Sequence, residues 1–535
     1  MSAVNIPDPP LGELAISLSG GGYRAAAFHL GVFELLQRLD LLKDVRVLST
    51  VSGGTFTGML YAATMVENDP FEVFYDKLYV FLRDTHVIRL ALNDLSQNNS
   101  GDKSMPSLIR SAAQVYANKK MLGARTLGPL MDDAAKQFRG LVFNSVEFRN
   151  GNSFRFQTSA SGRAIIGNGN LRVDKAVARD IRLADIAAAS SCFPSGFEPL
   201  RFPDDFQWPD GQSIASVRQV LGESFAEPVA LMDGGIYDNQ GIDGVEQVYK
   251  RADQDAEDTI GLFIISDTSQ RRDDLFDFPV KKRAGWLSLR GVGRAGWLLF
   301  ILALLTSITL FIDLFEGLRS NNLGLARAVF LYVIPLIFSL SIVIALRWTR
   351  RRLRDALVTV QAKTELELWP AVKRLTIPEL LELIDSRLKS LIVLTSSVFM
   401  KRVRDLGFKD INVYERYRGK LSANLIYSLN DATRFGDNIR THNLEPTAEL
   451  QSIANDAEAV PTNLWFTEEA TLRKLIVCGQ ASICFNLMKY MLEQKSAELQ
   501  DPNSRVSQVY ASALKVWDVL KTQPYALVRS PPIDP

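Results

Sequence analysis

Residues 16–31 read "ISLSGGGYRAAAFHLG". An apolar run ends at Gly20, Gly21 and Gly22, and an arginine and a helix-like stretch follow at once. A P-loop needs a lysine that this loop lacks, and the G-x-G-x-x-G dinucleotide pattern fails at Ala25. Two readings remain. One is a structural strand-to-helix turn. The other is an anion site, in which a helix N-terminus offers unpaired N–H groups to a charge. Glycines let a substrate carbonyl approach such backbone closely. Aimed at a transient charge, the loop is an oxyanion hole, useful only beside a nucleophile.

Outward from the loop, "ELAISLS" (13–19) predicts a buried strand, and "YRAAAFHLGVFELLQRL" (23–39) a helix with Phe28, Val32, Leu35, Leu36 and Leu39 at helical spacing. "VRVLSTV" (45–51) is a second strand and "GGTFTGMLYAATMV" (53–66) a second helix. Further strands are expected at "SFRFQTSAS" (153–161), "PVALMD" (228–233) and "IGLFIISD" (260–267). The alternation predicts an α/β fold, with a parallel or mixed sheet covered on both faces. In such sheets, sites form at the carboxyl ends of strands.

"STVSGGTF" (49–56) places Ser52 between a strand and a helix, the context of a nucleophile elbow. The G-x-S-x-G pattern lacks its first glycine, where Thr50 stands. A helix N-cap is the alternative for the same serine. In "PVALMDGGIYDNQG" (228–241), Asp233 ends an apolar strand, which puts its carboxylate at the edge of the sheet where Ser52 sits. The alternative there is a turn aspartate. Only His29, His86 and His442 could serve as a histidine base. His29 reads as a packing residue on the first helix. Ser52, Asp233 and His442 follow the chain order of an α/β-hydrolase triad, but His442 lies in the polar "RTHNLEP" far downstream and is not chosen.

The chain has 535 residues, enough for two or three domains. Its 61 Lys+Arg against 60 Asp+Glu argue against a generally basic nucleic-acid binder. Cys192, Cys478 and Cys484 form no C-x-x-C, so neither a disulfide framework nor a zinc knuckle is expected, and a reducing compartment fits best. The first residues carry no secretory-signal pattern. Two runs, residues 295–312 and 328–346, are uncharged, and each reaches the roughly 18–20 residues needed to span a bilayer. Lys281, Lys282, Arg283, Arg290 and Arg294 precede the first run, and Arg347, Arg350, Arg351, Arg352 and Arg354 follow the second. The positive-inside rule then gives a two-helix hairpin in an inner or plasma membrane, with both termini cytoplasmic. Two central helices of a soluble core are the alternative. The expected organisation is an α/β domain over 1–275, the hairpin with its flanks over 276–360, and a mainly helical cytoplasmic region over 361–535.

The ordered motifs "SGGGYR" (19–24), "SGG" (52–54) and "DGG" (233–235), with "ASSCFPSGFEP" (189–199) and "DNQG" (238–241), resemble the patatin-like phospholipase family, of the bacterial type, over residues 12–270. The resemblance implies a patatin-like three-layer sandwich with a central, mostly parallel sheet. It implies a Ser–Asp dyad without histidine, with Ser52 as nucleophile and Asp233 as general base. The N–H groups of Gly21, Gly22 and Gly53 would form the oxyanion hole. Arg24 matches the family's arginine, to orient the loop or meet a lipid phosphate; a solvated first-turn residue is its alternative. Thr50 and Ala25 replace family glycines, which bears on the width of the site. No cofactor or metal is implied. The expected function is a membrane-anchored lipid acyl hydrolase whose partners are its lipid substrate and the bilayer, and not nucleic acid. A thioesterase or general esterase, and a non-catalytic scaffold retaining the fold, are the alternatives.

Overall fold

The computed structural model describes residues 9–98, 107–132, 137–194, 196–252, 260–271, 376–413 and 417–531, with scattered positions between 294 and 352. The chain divides into two units, Met1–Leu275 with Thr395–Pro535, and Phe276–Leu394.

In the first unit, β1 (Glu13–Leu18) leads into α1 (Gly22–Arg38), and β2 (Val45–Val51) into α2 (Gly53–Val66) and α3 (Phe71–Asp84). β3 (Gly140–Glu147), β4 (Asn152–Ser159), β5 (Leu200–Phe202), β6 (Val229–Asp233), β7 (Ile260–Asp267) and β8 (Leu421–Leu425) complete one eight-stranded sheet. Its order is β5-β6-β3-β2-β1-β7-β8, with β4 also paired to β3. The sheet is mixed. β3, β2, β1, β7 and β8 run parallel, whereas β4 and β6 run antiparallel to β3, and β5 antiparallel to β6.

Alternate residues of each central strand face opposite layers. Leu14, Ile16 and Leu18 join the core under α1 and α2, while Ala15, Val47, Val142 and Phe263 pack with Val245 and Val248 of the helix Ile242–Ala252. Both faces are covered, so these strands read as continuous apolar runs rather than alternations.

The region after the hairpin builds into the same unit. β8 pairs parallel with β7, from Phe263–Leu421 to Asp267–Leu425. The helix Glu469–Gln494 crosses α1 with the two backbones in contact: a Cβ on Gly31 would stand 2.1 Å from the Ile476 carbonyl oxygen, and one on Gly479 would stand 2.0 Å from that of Phe28. The sequence of this helix suggests an amphipathic element. In the structure it is buried on nearly every side, between α1, the helices Ala448–Ala459 and Arg505–Thr522, and β8. Among the described residues it is the helix long and apolar enough to cross a membrane, and its place is the protein interior.

Most of the expected hairpin, residues 295–312 and 328–346, lies outside the described residues. Described positions within it, including Trp297, Leu298, Ile301, Leu305, Ile308 and Ile312, are helical and exposed. The helix Ile377–Val393 starts on a capping box, in which the Thr376 side chain accepts from the Glu379 N–H and Glu379 returns to the Thr376 N–H.

Candidate active site

β2 ends at Val51 and α2 begins at Gly53, so Ser52 alone makes the turn between them. Its backbone sits at φ 50° and ψ −120°, outside the regions open to ordinary L-residues. Such strain marks a nucleophile elbow and persists only where neighbours hold it. Part of the hold is a row of buried hydroxyls. The Ser52 N–H donates to Ser190 Oγ at 3.0 Å, Ser190 pairs with Thr55 Oγ1 at 2.8 Å, and Thr55 pairs with Thr50 Oγ1 at 3.0 Å. Sequence reasoning gave Ser190 no role; its one signal was its place in "ASSCFPSGFEP".

Asp233 reaches Ser52 by an unexpected route. β2 pairs with β3 as far as Val51–Asn144, and one residue further along β3, Ser145 pairs with Asp233. Asp233 therefore stands at the level of Ser52, as expected. However, β6 is antiparallel and comes back to this edge from beyond it, where β3 outruns β2. The Asp233 carboxylate is buried, accepts from the Gly235 N–H at 2.7 Å, and feels the Ser52 side chain, which favours its ionised form. Burial raises its pKa from 3.8 to about 6, against the lowering effects of the Gly235 N–H and the Ser52 side chain. Its own N–H is held by the Cys192 carbonyl at 3.0 Å.

The glycine loop closes the site. Gly21 and Gly22 adopt φ 142° and 56°, which favour glycine. The starts of α1 and α2 touch, since a Cβ on Gly53 would stand 2.0 Å from the Gly22 carbonyl oxygen. The Gly20 N–H donates to Asn239 O at 2.9 Å, which gives the "DNQG" stretch its place. Among the described residues, none accepts a backbone hydrogen bond from the N–H of Gly21, Gly22 or Gly53. These three donors lie at the first turns of α1 and α2, where a helix cannot satisfy them itself.

Arg24 is buried rather than solvated, and its Nη1 donates to the Val460 carbonyl at 2.6 Å. His29 is also buried. Its ring nitrogens face Ser266 Oγ at 3.1 Å and the Ser19 carbonyl at 3.3 Å, and desolvation lowers its pKa to about 4. With a neutral ring and both nitrogens engaged, His29 packs. His442 is exposed at a helix C-terminus, with Nδ1 2.8 Å from the Asn438 carbonyl. His86 stacks on Trp465. Among the described residues, no group of three or more His, Cys, Asp or Glu could hold a metal ion.

Residues 16–245 match the model of the patatin-like phospholipase family, and the chain carries a patatin-like phospholipase domain over that span. A solved structure, the human GIVD cytosolic phospholipase A2, is similar at 14% identity over 44% of this chain and 44% of that one, with a TM-score of 0.29. The chain thus spans less than half of that structure's length. None of the curated proteins matches the chain.

Proposed function

We propose that the protein is a lipid acyl hydrolase working through Ser52 and Asp233. The observation that carries this reading is a buried Asp233 carboxylate at the sheet level of a serine on a strained elbow, with its pKa raised by burial and lowered in part by that serine. A carboxylate at its ordinary pKa is a weak base; one raised to about 6 is better matched to neutral pH. Asp233 takes the Ser52 proton as Oγ attacks the ester carbonyl carbon. The oxyanion faces the N–H groups of Gly21, Gly22 and Gly53, each worth about 3–4 kcal/mol in such a role. The tetrahedral intermediate collapses, and the leaving alcohol departs with the proton from Asp233. Asp233 then deprotonates a water that attacks the acyl-enzyme, releasing a carboxylic acid and free Ser52.

We place the substrate in a membrane and the enzyme on it. The support is the length and charge pattern of residues 281–354, and the exposed apolar side chains at Trp297, Leu298, Ile301, Leu305, Ile308, Phe338 and Ile344. Surface of this kind is costly in water. In this arrangement 276–360 anchors the chain as a two-helix hairpin with both termini cytoplasmic.

The test is fatty-acid release from mixed phospholipid–detergent micelles by wild type, Ser52→Ala and Asp233→Asn, with circular dichroism to show that each is folded. Release by wild type alone supports the reading. Equal release by folded Ser52→Ala removes it. Resistance to alkaline carbonate extraction tests the anchor separately.

A further inference from the structure

The glycine loop belongs to the matched domain, yet it is held from far outside it. Residues 460–466 run as a strap along the loop, between the helices Ala448–Ala459 and Glu469–Gln494. The Asn463 carbonyl accepts from the Tyr23 N–H at 2.8 Å and abuts Gly22, where a Cβ would stand 2.5 Å from that oxygen. The Val460 carbonyl accepts from Arg24 Nη1 at 2.6 Å and from Gln270 Nε2 at 3.4 Å. The strap has its own footing beyond the loop. The Leu464 carbonyl accepts from the Val87 N–H at 3.2 Å, Trp465 stacks on His86 at 4.5 Å, and the Phe466 ring lies 5.5 Å from that of Tyr23.

The physical need for such a tie is plain. Three successive glycines have no side chains with which to fix themselves, and they lose more freedom on ordering than other residues. The first turn of α1 offers several N–H groups. Asn463 takes that of Tyr23, leaving those of Gly21 and Gly22 for another acceptor. Arg24 lies back over the loop, with Nη2 3.7 Å from where a Gly21 Cβ would stand. Its charge-assisted bond to the strap is of the strong kind.

We infer that the strap is a positioning element of the acyl-transfer site, gripped by Arg24, and that it selects which loop N–H groups face the ester carbonyl. Arg24 is then a positioning residue acting through the loop. The chain after residue 395 is part of the hydrolase. This rests on the Ser52–Asp233 reading above.

The experiment uses the full chain in detergent. It compares Arg24→Ala, Arg24→Lys and Trp465→Ala with wild type by the rate of fluorophosphonate acylation, by kcat and KM on a soluble nitrophenyl ester, and by Tm. Arg24→Ala is expected to lower acylation and kcat roughly 10- to 100-fold, the scale of small misplacements at a reacting centre. KM should stay within about twofold, since the lost interaction is made in the transition state. Arg24→Lys should recover part of the rate. Trp465→Ala loosens a half-buried footing without touching the loop, and should move kcat in the same direction with the pH midpoint of acylation unchanged. Wild-type acylation in folded Trp465→Ala overturns the inference, as does an Arg24→Ala effect confined to KM. If Arg24→Ala does not fold, Trp465→Ala decides. A wild type that takes no label at Ser52 defeats the dyad reading instead, before any variant is compared.

Discussion

The Thr50 side chain occupies space that Gly58 leaves free: a Cβ on Gly58 would stand 2.5 Å from Thr50 Cγ2. Thr50 stands where a nucleophile elbow usually has a glycine, and one turn into α2 the missing room is supplied by Gly58. Gly58→Ala is therefore expected to destabilise the fold by about 1–3 kcal/mol, the cost of overpacking a filled core. Thr50→Ser removes the methyl and keeps the hydroxyl bonded to Thr55, so it should rescue most of that loss. A double-mutant cycle by thermal or urea unfolding measures the coupling.

Asp233 trades stability for chemistry. A buried carboxyl whose folded pKa is raised to about 6 from 3.8 favours folding while it is protonated. That contribution is complete below the unfolded pKa and is lost as pH rises through about 6, a change of roughly 3 kcal/mol. Asp233→Asn carries no charge to bury. It should be inactive yet more stable than wild type at pH 7–8, by up to roughly 3 kcal/mol. The two unfolding midpoints should converge below about pH 4. Equal stability at every pH would show that the carboxyl is not held as described.

Ser190 is the acceptor for the Ser52 N–H. Ser190→Ala leaves that buried donor unpaired at a strained residue, at an expected cost of about 1–3 kcal/mol. Turnover should fall as well, because the elbow geometry relaxes. Urea unfolding and kcat on a soluble ester read the two effects separately.

Gly53→Ala drives a methyl into the Gly22 carbonyl, 2.0 Å away. The two helix starts must separate, and the shared donor geometry goes with them. A loss of about 10²–10³ in kcat is expected, comparable to removing one oxyanion donor.

His442→Ala should leave turnover at the wild-type level. The residue is exposed and its Nδ1 faces the Asn438 carbonyl at the end of its own helix. A loss of activity would revive the histidine triad.

The glycine loop, the elbow and the Asp-Gly-Gly turn were legible because each is a local motif with a local backbone demand. The level of Asp233 was legible too, but through an argument about parallel strands that the antiparallel β6 does not obey. β8 was hidden. A helix runs through Phe399–Val413 and the strand is Leu421–Leu425. Its sequence, "LSANL", buries Ser422 and Asn424, and Asn424 is satisfied by Ser266 and Asn486, so the usual apolar signal is absent. The strap was beyond reach of the sequence altogether. It meets the loop through the carbonyls of Val460 and Asn463, and a main-chain acceptor carries no residue signature.

In the proposed reaction Asp233 activates Ser52. Fluorophosphonate labelling of detergent-solubilised protein from pH 4.5 to 8, with the modified peptide identified by mass spectrometry, reads that activation at the serine itself. The expected result is an adduct on Ser52 whose formation rate rises with pH through a midpoint near 6, and no adduct in Ser52→Ala or Asp233→Asn. A folded wild type that labels elsewhere, or labels Ser52 equally well without the Asp233 carboxylate, would contradict it.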